Sequence, residues 1–133
     1  MAWATRPRLV FVFAMLILAS ALFIPSSAAA YTRCACTDYA HRMRPDLPLS
    51  LGNALTWGTR ARAHGFPVDG NPRVGDIVVL QPGVQGAHRR YGHVAYVTGV
   101  GGGRVYASQF NGNCRVSKSA YRLTRGMAFI HYK

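Results

Sequence analysis

The chain is 133 residues long, and 16 Lys and Arg against four Asp and no Glu give it a net charge of +12. That length supplies one small core and no second domain. A charge so positive, with 14 of the 16 cations arginine, calls for an acidic partner.

Residues 1–30 are predicted to stay outside the fold. Arg6 and Arg8 form a short positive region, Leu9 to Ile24 is almost unbroken apolar sequence, and Ser26-Ser27-Ala28-Ala29-Ala30 supplies small residues ahead of Tyr31. This is the layout of a secretory signal peptide cleaved after Ala30, which leaves residues 31–133 as the mature domain. An uncleaved membrane anchor is the alternative, but an apolar run of sixteen falls short of the ~20 residues a spanning helix needs. Membrane contact is therefore expected only through this segment, and only if it stays attached. Pro7 splits the two arginines, so there is no twin-arginine signal, and Tyr31-Thr32-Arg33 before Cys34 is too bulky and charged for a lipoprotein site. Without Arg6 and Arg8 the mature chain has 14 cations against four Asp, a net of +10. In the cytoplasm that would suggest nucleic acid. In the periplasm or outside the cell, anionic peptidoglycan, other wall polymers or lipid headgroups fit better, and no nucleic-acid partner is expected.

From Cys36 to Met43 the sequence reads as a helix, with Asp38 in its first turn and Arg42 and Arg44 at its end, where the helix dipole favours them. Pro45 and Pro48 stop it. A second helix is predicted over residues 53–64, with Asn53 or Ser50 as N-cap and Gly65 as stop. Leu55, Trp57, Ala61 and Ala63 supply part of its apolar surface. After Pro72 the pattern becomes that of strands. Ile77–Leu80 reads as one, a polar Gly-rich loop runs from Gln81 to Tyr91, and Gly92 to Val100 reads as the next. Gly101-Gly102-Gly103 makes a hairpin turn, Arg104 to Phe110 returns from it, and a last strand lies near residues 127–131. Helices first and antiparallel strands after them predict an α+β fold.

Three cysteines in an oxidising compartment allow one disulfide and leave at least one thiol over. Thiol catalysis needs a partly ionised sulfur, a base within hydrogen-bond reach and a third group that fixes the base's tautomer. Cys36 opens a predicted helix, where the dipole favours thiolate. Of His41, His64, His88, His93 and His131, the setting favours His93, which follows Gly92 at the start of a half-buried strand. His41 sits five residues after Cys36 on the same helix and points elsewhere, while His64 and His88 read as surface residues. Alternation places His93 on one face with Ala95 and Val97. A three-residue turn at Gly101–Gly103 pairs Val100 with Arg104, which sets His93 across from Asn111 and Ala95 across from Gln109. Directly opposite Cβ atoms lie ~5 Å apart and diagonal ones ~7–8 Å, so Asn111 and Gln109 both reach His93, Asn111 more directly. A slip of one residue would separate them.

Five pieces of sequence now stand in order: Cys36-Thr37-Asp38-Tyr39; Gly52-Asn53-Ala54 with Trp57; Pro72-Arg73-Val74-Gly75-Asp76-Ile77-Val78-Val79; Gly92-His93-Val94-Ala95-Tyr96-Val97; and Ser108-Gln109-Phe110-Asn111. Together, over about residues 34–131, they resemble the CHAP domain (cysteine, histidine-dependent amidohydrolase/peptidase). No single piece is specific, but the ordered set is. The resemblance implies a papain-like fold with N-terminal helices packed on a small antiparallel sheet, amide hydrolysis in peptidoglycan, Cys36 as nucleophile, His93 as base, and no metal or other cofactor. Two positions depart from the family. Ala35 stands where Gln is usual, and Gln109 stands where Glu is common. Neutral Gln109 or Asn111 can hold an imidazole tautomer but cannot stabilise imidazolium as a carboxylate would, so weak activity is expected.

Cys34 and Cys36 are too close in sequence to bridge readily, and Cys114 lies three residues past Asn111. The expected bridge is therefore Cys34–Cys114, with Cys36–Cys114, which would consume the nucleophile, as its alternative. A zinc site from Cys34, Cys36 and His41 lacks a recognised ligand spacing. Arg89 and Arg90, just before Gly92-His93, are either a solvated loop or a cleft rim that meets substrate carboxylates. Asp76 reads as a turn or cap residue, and Tyr39, Trp57 and Tyr96 as core or cleft wall. The expected function is a monomeric, exported thiol amidase or endopeptidase acting on peptidoglycan. The runner-up is a catalytically weak or inactive basic module that binds wall polymers, and a membrane-active basic peptide comes third.

Overall fold

The computed structural model describes residues 34–133; the predicted signal segment lies outside them. Helix α1 (Cys36–Met43) starts where the sequence predicts. Asp38 reaches back to accept the Ala35 N–H at 3.0 Å, and the Ala35 carbonyl accepts the N–H groups of Asp38 and Tyr39. The first turn is thus closed by Asp38 and the Ala35 carbonyl, with no cap from the Ala35 side chain. Arg44 at the other end is no surface complement to the dipole. It is fully buried and donates to the carbonyls of Gly75 (3.2 Å), Ile130 (3.0 Å) and His131 (3.2 Å), while Asp46 pairs with it at 2.8 Å. The helix is pinned at this end to the C-terminal segment.

The second predicted helix is two pieces, a 3-10 turn (Ala54–Thr56) running into α2 (Trp57–Ala63). Thr56 Oγ1 shares its one proton between the carbonyls of Leu51 (2.7 Å) and Asn53 (2.9 Å), and Trp57 Nε1 donates to that of Gly52 (3.0 Å). These side-chain bonds tighten the entry into 3-10 geometry.

Strands β1 (Val68–Asp69), β2 (Ile77–Leu80), β3 (His93–Gly101), β4 (Arg104–Phe110), β5 (Val116–Arg122) and β6 (Met127–Ile130) form one sheet in the order β1-β6-β2-β3-β4-β5. Every pairing is antiparallel. The helices cover one face, where Ile77, Val79, Val94 and Ile130 pack with Ala40, Leu51, Trp57 and Phe66. The other face has its own core of Val78, Leu80, Ala95, Val97, Tyr121 and Phe129. Burial on both faces explains the unalternating Ile-Val-Val-Leu of β2. Tyr121 and Phe129 share that core although β2, β3 and β4 separate their strands, so the sheet curls around it. Val84 and Ala87 of the loop after β2 roof this core. The Gln85 amide accepts the Arg122 N–H at 2.8 Å and donates to the Arg122 carbonyl, clipping the loop to the free edge of β5.

The β3–β4 hairpin differs from expectation at its tip. The turn has two residues, Gly102 (φ +58°) and Gly103 (φ +68°), and Gly101 pairs with Arg104. Both central residues need positive φ in this primed turn, which glycine allows. A bulge between Val97 and Gly99 then restores the expected register, with Val97 opposite Ala107 and Tyr96 opposite Ser108. Strand β5, absent from the sequence reading, alternates exposed Val116, Lys118 and Ala120 with inward Ser117, Ser119 and Tyr121. Two serines on the inner face erase the apolar alternation that marks a strand.

Candidate active site

Cys36 is the first residue of α1 and the one free cysteine among the described residues. Cys34 and Cys114 form a disulfide, so the donor set for a zinc site with Cys34 does not exist. The Cys34 carbonyl also accepts the Gly112 N–H at 3.1 Å. Bridge and hydrogen bond together hold the Asn111–Gly112 segment beside the start of α1.

The thiol lies against the beginning of β3. Burial pushes its pKa above the usual thiol value; the backbone N–H groups of Val94, Thr37 and Cys36 itself pull the other way, and the Asp38 carboxylate adds to the rise. Loss of solvation therefore outweighs the helix N-terminus that the sequence reading relied on. His93, immediately before Val94, is half-buried, and burial lowers its pKa below the usual imidazole value. Both shifts favour the uncharged forms, thiol and imidazole.

Both residues line a groove of about 810 Å³, with His41, Asn53, His88 and Asn111 among its other walls. His88 and Tyr91 form the groove wall in the loop before β3, while Arg89 and Arg90 are exposed and do not line it. His88 is a loop builder: its Nδ1 accepts the N–H groups of Arg90 (3.1 Å) and Tyr91 (3.2 Å). His41, expected to point away from Cys36, lies in the groove wall with its ring 4.7 Å from that of Trp57. Its Nδ1 is buried without a partner, and burial lowers its pKa. Nothing in its spacing from Cys36 signals that position.

The two residues expected to orient His93 are placed unequally. Gln109 is buried, with its Oε1 unpartnered. Asn111 lies past the end of β4, is exposed, and donates from Nδ2 to Ser117 Oγ at 2.8 Å. Both line a smaller cavity with His93 on the inner face of the sheet. No side chain among the described residues hydrogen-bonds the His93 ring, and no carboxylate lines the smaller cavity behind it. The four aspartates are engaged elsewhere: Asp38 on Ala35, Asp46 on Arg44, and Asp69 and Asp76 on the two ring nitrogens of His131 at 2.8 and 2.9 Å. Asp76 is also the turn residue expected, accepting the Arg73 N–H. Among the described residues no group of His, Cys, Asp and Glu could hold a metal ion, and no helix is long and apolar enough to cross a membrane.

A family model described as "CHAP domain" matches residues 26–111. Staphylococcal secretory antigen SsaA of Staphylococcus aureus is 35% identical over 97 residues, 72% of this chain and 32% of that protein. The protein of the same name from Staphylococcus epidermidis is 34% identical over the same shares. The chain thus spans about a third of the length of these relatives. Among solved structures, N-acetylmuramoyl-L-alanine amidase from Staphylococcus aureus superposes with a TM-score of 0.66 at 29% identity, covering 73% of this chain and 30% of that one. Ly7917, solved with the hydrolyzing product of MDP, shares the fold at a TM-score of 0.51 and 22% identity, covering 72% of this chain and 52% of that one.

Proposed function

The chain belongs to the CHAP family, and we propose that it is an exported cysteine-dependent hydrolase that cuts an amide bond in the peptide stems of peptidoglycan. The observation that carries this reading is the pairing of a lone free thiol at the start of α1 with His93 at the start of β3 in one open groove. The amidase named among the structural neighbours acts on the same class of polymer. Residues 1–30 serve as the cleaved export signal and residues 31–133 as the mature domain, delivered to the periplasm or the exterior as a monomer.

In this mechanism His93 accepts the thiol proton as Cys36 Sγ attacks the carbonyl carbon, the order favoured by burial, which raises the thiol pKa and lowers that of the imidazole. The tetrahedral oxyanion meets the Cys36 backbone N–H, one of the donors at the helix start without an intrahelical partner. Imidazolium His93 then protonates the leaving amine. A water activated by the same ring cleaves the thioester and restores the thiol. Gln109 or Asn111 holds the tautomer of His93 through the second ring nitrogen. Arg89 and Arg90, on the exposed turn beside the groove wall, contact carboxylates of long substrates only.

Digestion of purified peptidoglycan by the mature protein, with mass spectrometry of the new termini, tests the reading. It also separates an amidase, which frees the stem from the sugar, from an endopeptidase, which cuts within the stem. Cys36→Ala and His93→Ala should each abolish release of fragments. Undiminished release by a folded Cys36→Ala protein would overturn it. A second reading, a basic wall-binding module of little activity, is favoured by the raised thiol pKa and the absence of a carboxylate behind His93. Sedimentation with peptidoglycan and no new termini would select it.

A further inference from the structure

Behind His93, on the inner face of the sheet, lies the smaller cavity, of about 200 Å³, whose lining includes His93, Gln109, Asn111, Ser119 and Tyr121. Gln109 is 1% exposed. Its Nε2 donates to Ser119 Oγ at 2.7 Å and to Ser117 Oγ at 3.4 Å, while its Oε1 is buried without a partner. The single hydroxyl proton of Ser117 goes to the backbone carbonyl of Gln109 at 3.3 Å. The lone pairs of Ser117 must then accept from Gln109 Nε2 and from Asn111 Nδ2. Ser119 shares a hydrogen bond with Tyr121 on its far side. This network turns the amide nitrogen toward β5 and the oxygen away from it.

We propose that Ser119, supported by Ser117, is a positioning residue that acts on His93 through Gln109, holding the amide nitrogen so that the unpartnered Oε1 is left free to accept the imidazole N–H. The inference rests on the reading of His93 as the base. A carboxylate at position 109 would present an oxygen whichever way it turned. An amide presents an acceptor on one side only, and an NH₂ group facing His93 would select the opposite tautomer, leaving no lone pair for the Cys36 proton. The serines at alternate positions of β5 supply the discrimination that a neutral side chain at 109 requires. Asn111 is the poorer candidate for this role, because it is exposed past the end of β4 whereas Gln109 is buried beside His93 in the cavity.

The test compares Ser119→Ala and Ser119→Thr, each alone and combined with Gln109→Glu. Two readouts are taken, kcat and KM for fragment release and ¹⁵N NMR of the His93 ring. Ser119→Ala should lower kcat about tenfold with KM unchanged and give a mixture of ring tautomers, and Ser119→Thr should restore both. In the Gln109→Glu background the Ser119→Ala effect should shrink to about twofold or less, since a carboxylate cannot be wrongly flipped. Equal losses in both backgrounds, or an unchanged single tautomer in Ser119→Ala, would overturn the inference. Absent turnover in the unsubstituted protein marks instead the failure of the catalytic reading. The NMR arm then decides this inference alone, because the tautomer does not depend on turnover.

Discussion

Gly92 lies so close to Leu80 that a Cβ on it would stand 2.6 Å from the Leu80 carbonyl oxygen. Its φ of +72° adds a second reason for glycine. The contact fixes the residue directly before His93, and the Leu55 N–H bonded to the Tyr91 carbonyl at 2.8 Å holds the same bend from the helical side. Gly92→Ala should therefore displace His93 and abolish fragment release while most of the fold survives. Gly83→Ala is the control. It has a similar φ of +79° but open space around it, so it should cost about 1–3 kcal/mol and leave activity intact. Urea melts and release assays on the two variants separate backbone strain from the clash.

The ionisation of the pair predicts a particular pH dependence. Burial raises the Cys36 pKa and lowers that of His93, so both stay neutral between the lowered imidazole value and the raised thiol value. The acid limb of kcat/KM, where His93 becomes protonated and cannot act as base, should fall below the usual imidazole pKa of 6.5. Iodoacetamide should alkylate Cys36 slowly near neutrality and faster as pH climbs past 9.0. A fast, flat alkylation rate from mildly acidic pH upward would mean a preformed thiolate–imidazolium pair instead.

Much of this arrangement is legible in the sequence, and what is not has physical causes. α1, β2 and β4 follow from an acidic first turn, an apolar run between turn signals and a glycine turn, all local features. The register that brings Gln109 behind His93 is read correctly near the site for a reason that is wrong at the tip, since a shorter turn and the bulge at Thr98 offset each other. The ladder stops at Tyr96 and Ser108, so Asn111, expected to stand more directly opposite His93, falls past the strand end. Strand β5 and the buried Arg44 escape because their meaning is tertiary. Two serines look like a polar loop until Gln109 is placed against them, and an arginine at a helix end looks solvated until three carbonyls converge on it.

That convergence predicts where stability lies. Arg44→Met would remove the donor that the carbonyls of Gly75, Ile130 and His131 share and free Asp46 of its partner. The loss should be about 3–5 kcal/mol. Arg44→Lys should recover only part of it, because an ammonium cannot span acceptors that a planar guanidinium reaches together. In calorimetry the order of melting temperatures should be wild type, Lys, then Met. A Met variant as stable as wild type would show that the guanidinium only balances its own desolvation.

The last prediction concerns the three cysteines. The bridge joins Cys34 to Cys114 across 80 residues of sequence and leaves Cys36, two residues from one end of it, free in the groove. Closing a loop of that length typically stabilises by ~2–4 kcal/mol. Alkylation of the unreduced mature protein followed by peptide mapping should label Cys36 alone. The double variant Cys34→Ser, Cys114→Ser should melt earlier by that margin yet keep the thiol. Its activity should drop in part, because the bridge and the Gly112–Cys34 hydrogen bond hold the groove wall at Asn111 beside α1. Reductant should act on the wild-type protein in the same direction, lowering activity toward that of the double variant. The competing pairing, Cys36 with Cys114, predicts the opposite sign: label on Cys34 alone, and activity that appears only when reductant releases the nucleophile. Label on all three would mean that no bridge forms, and the double variant would then melt with the wild type.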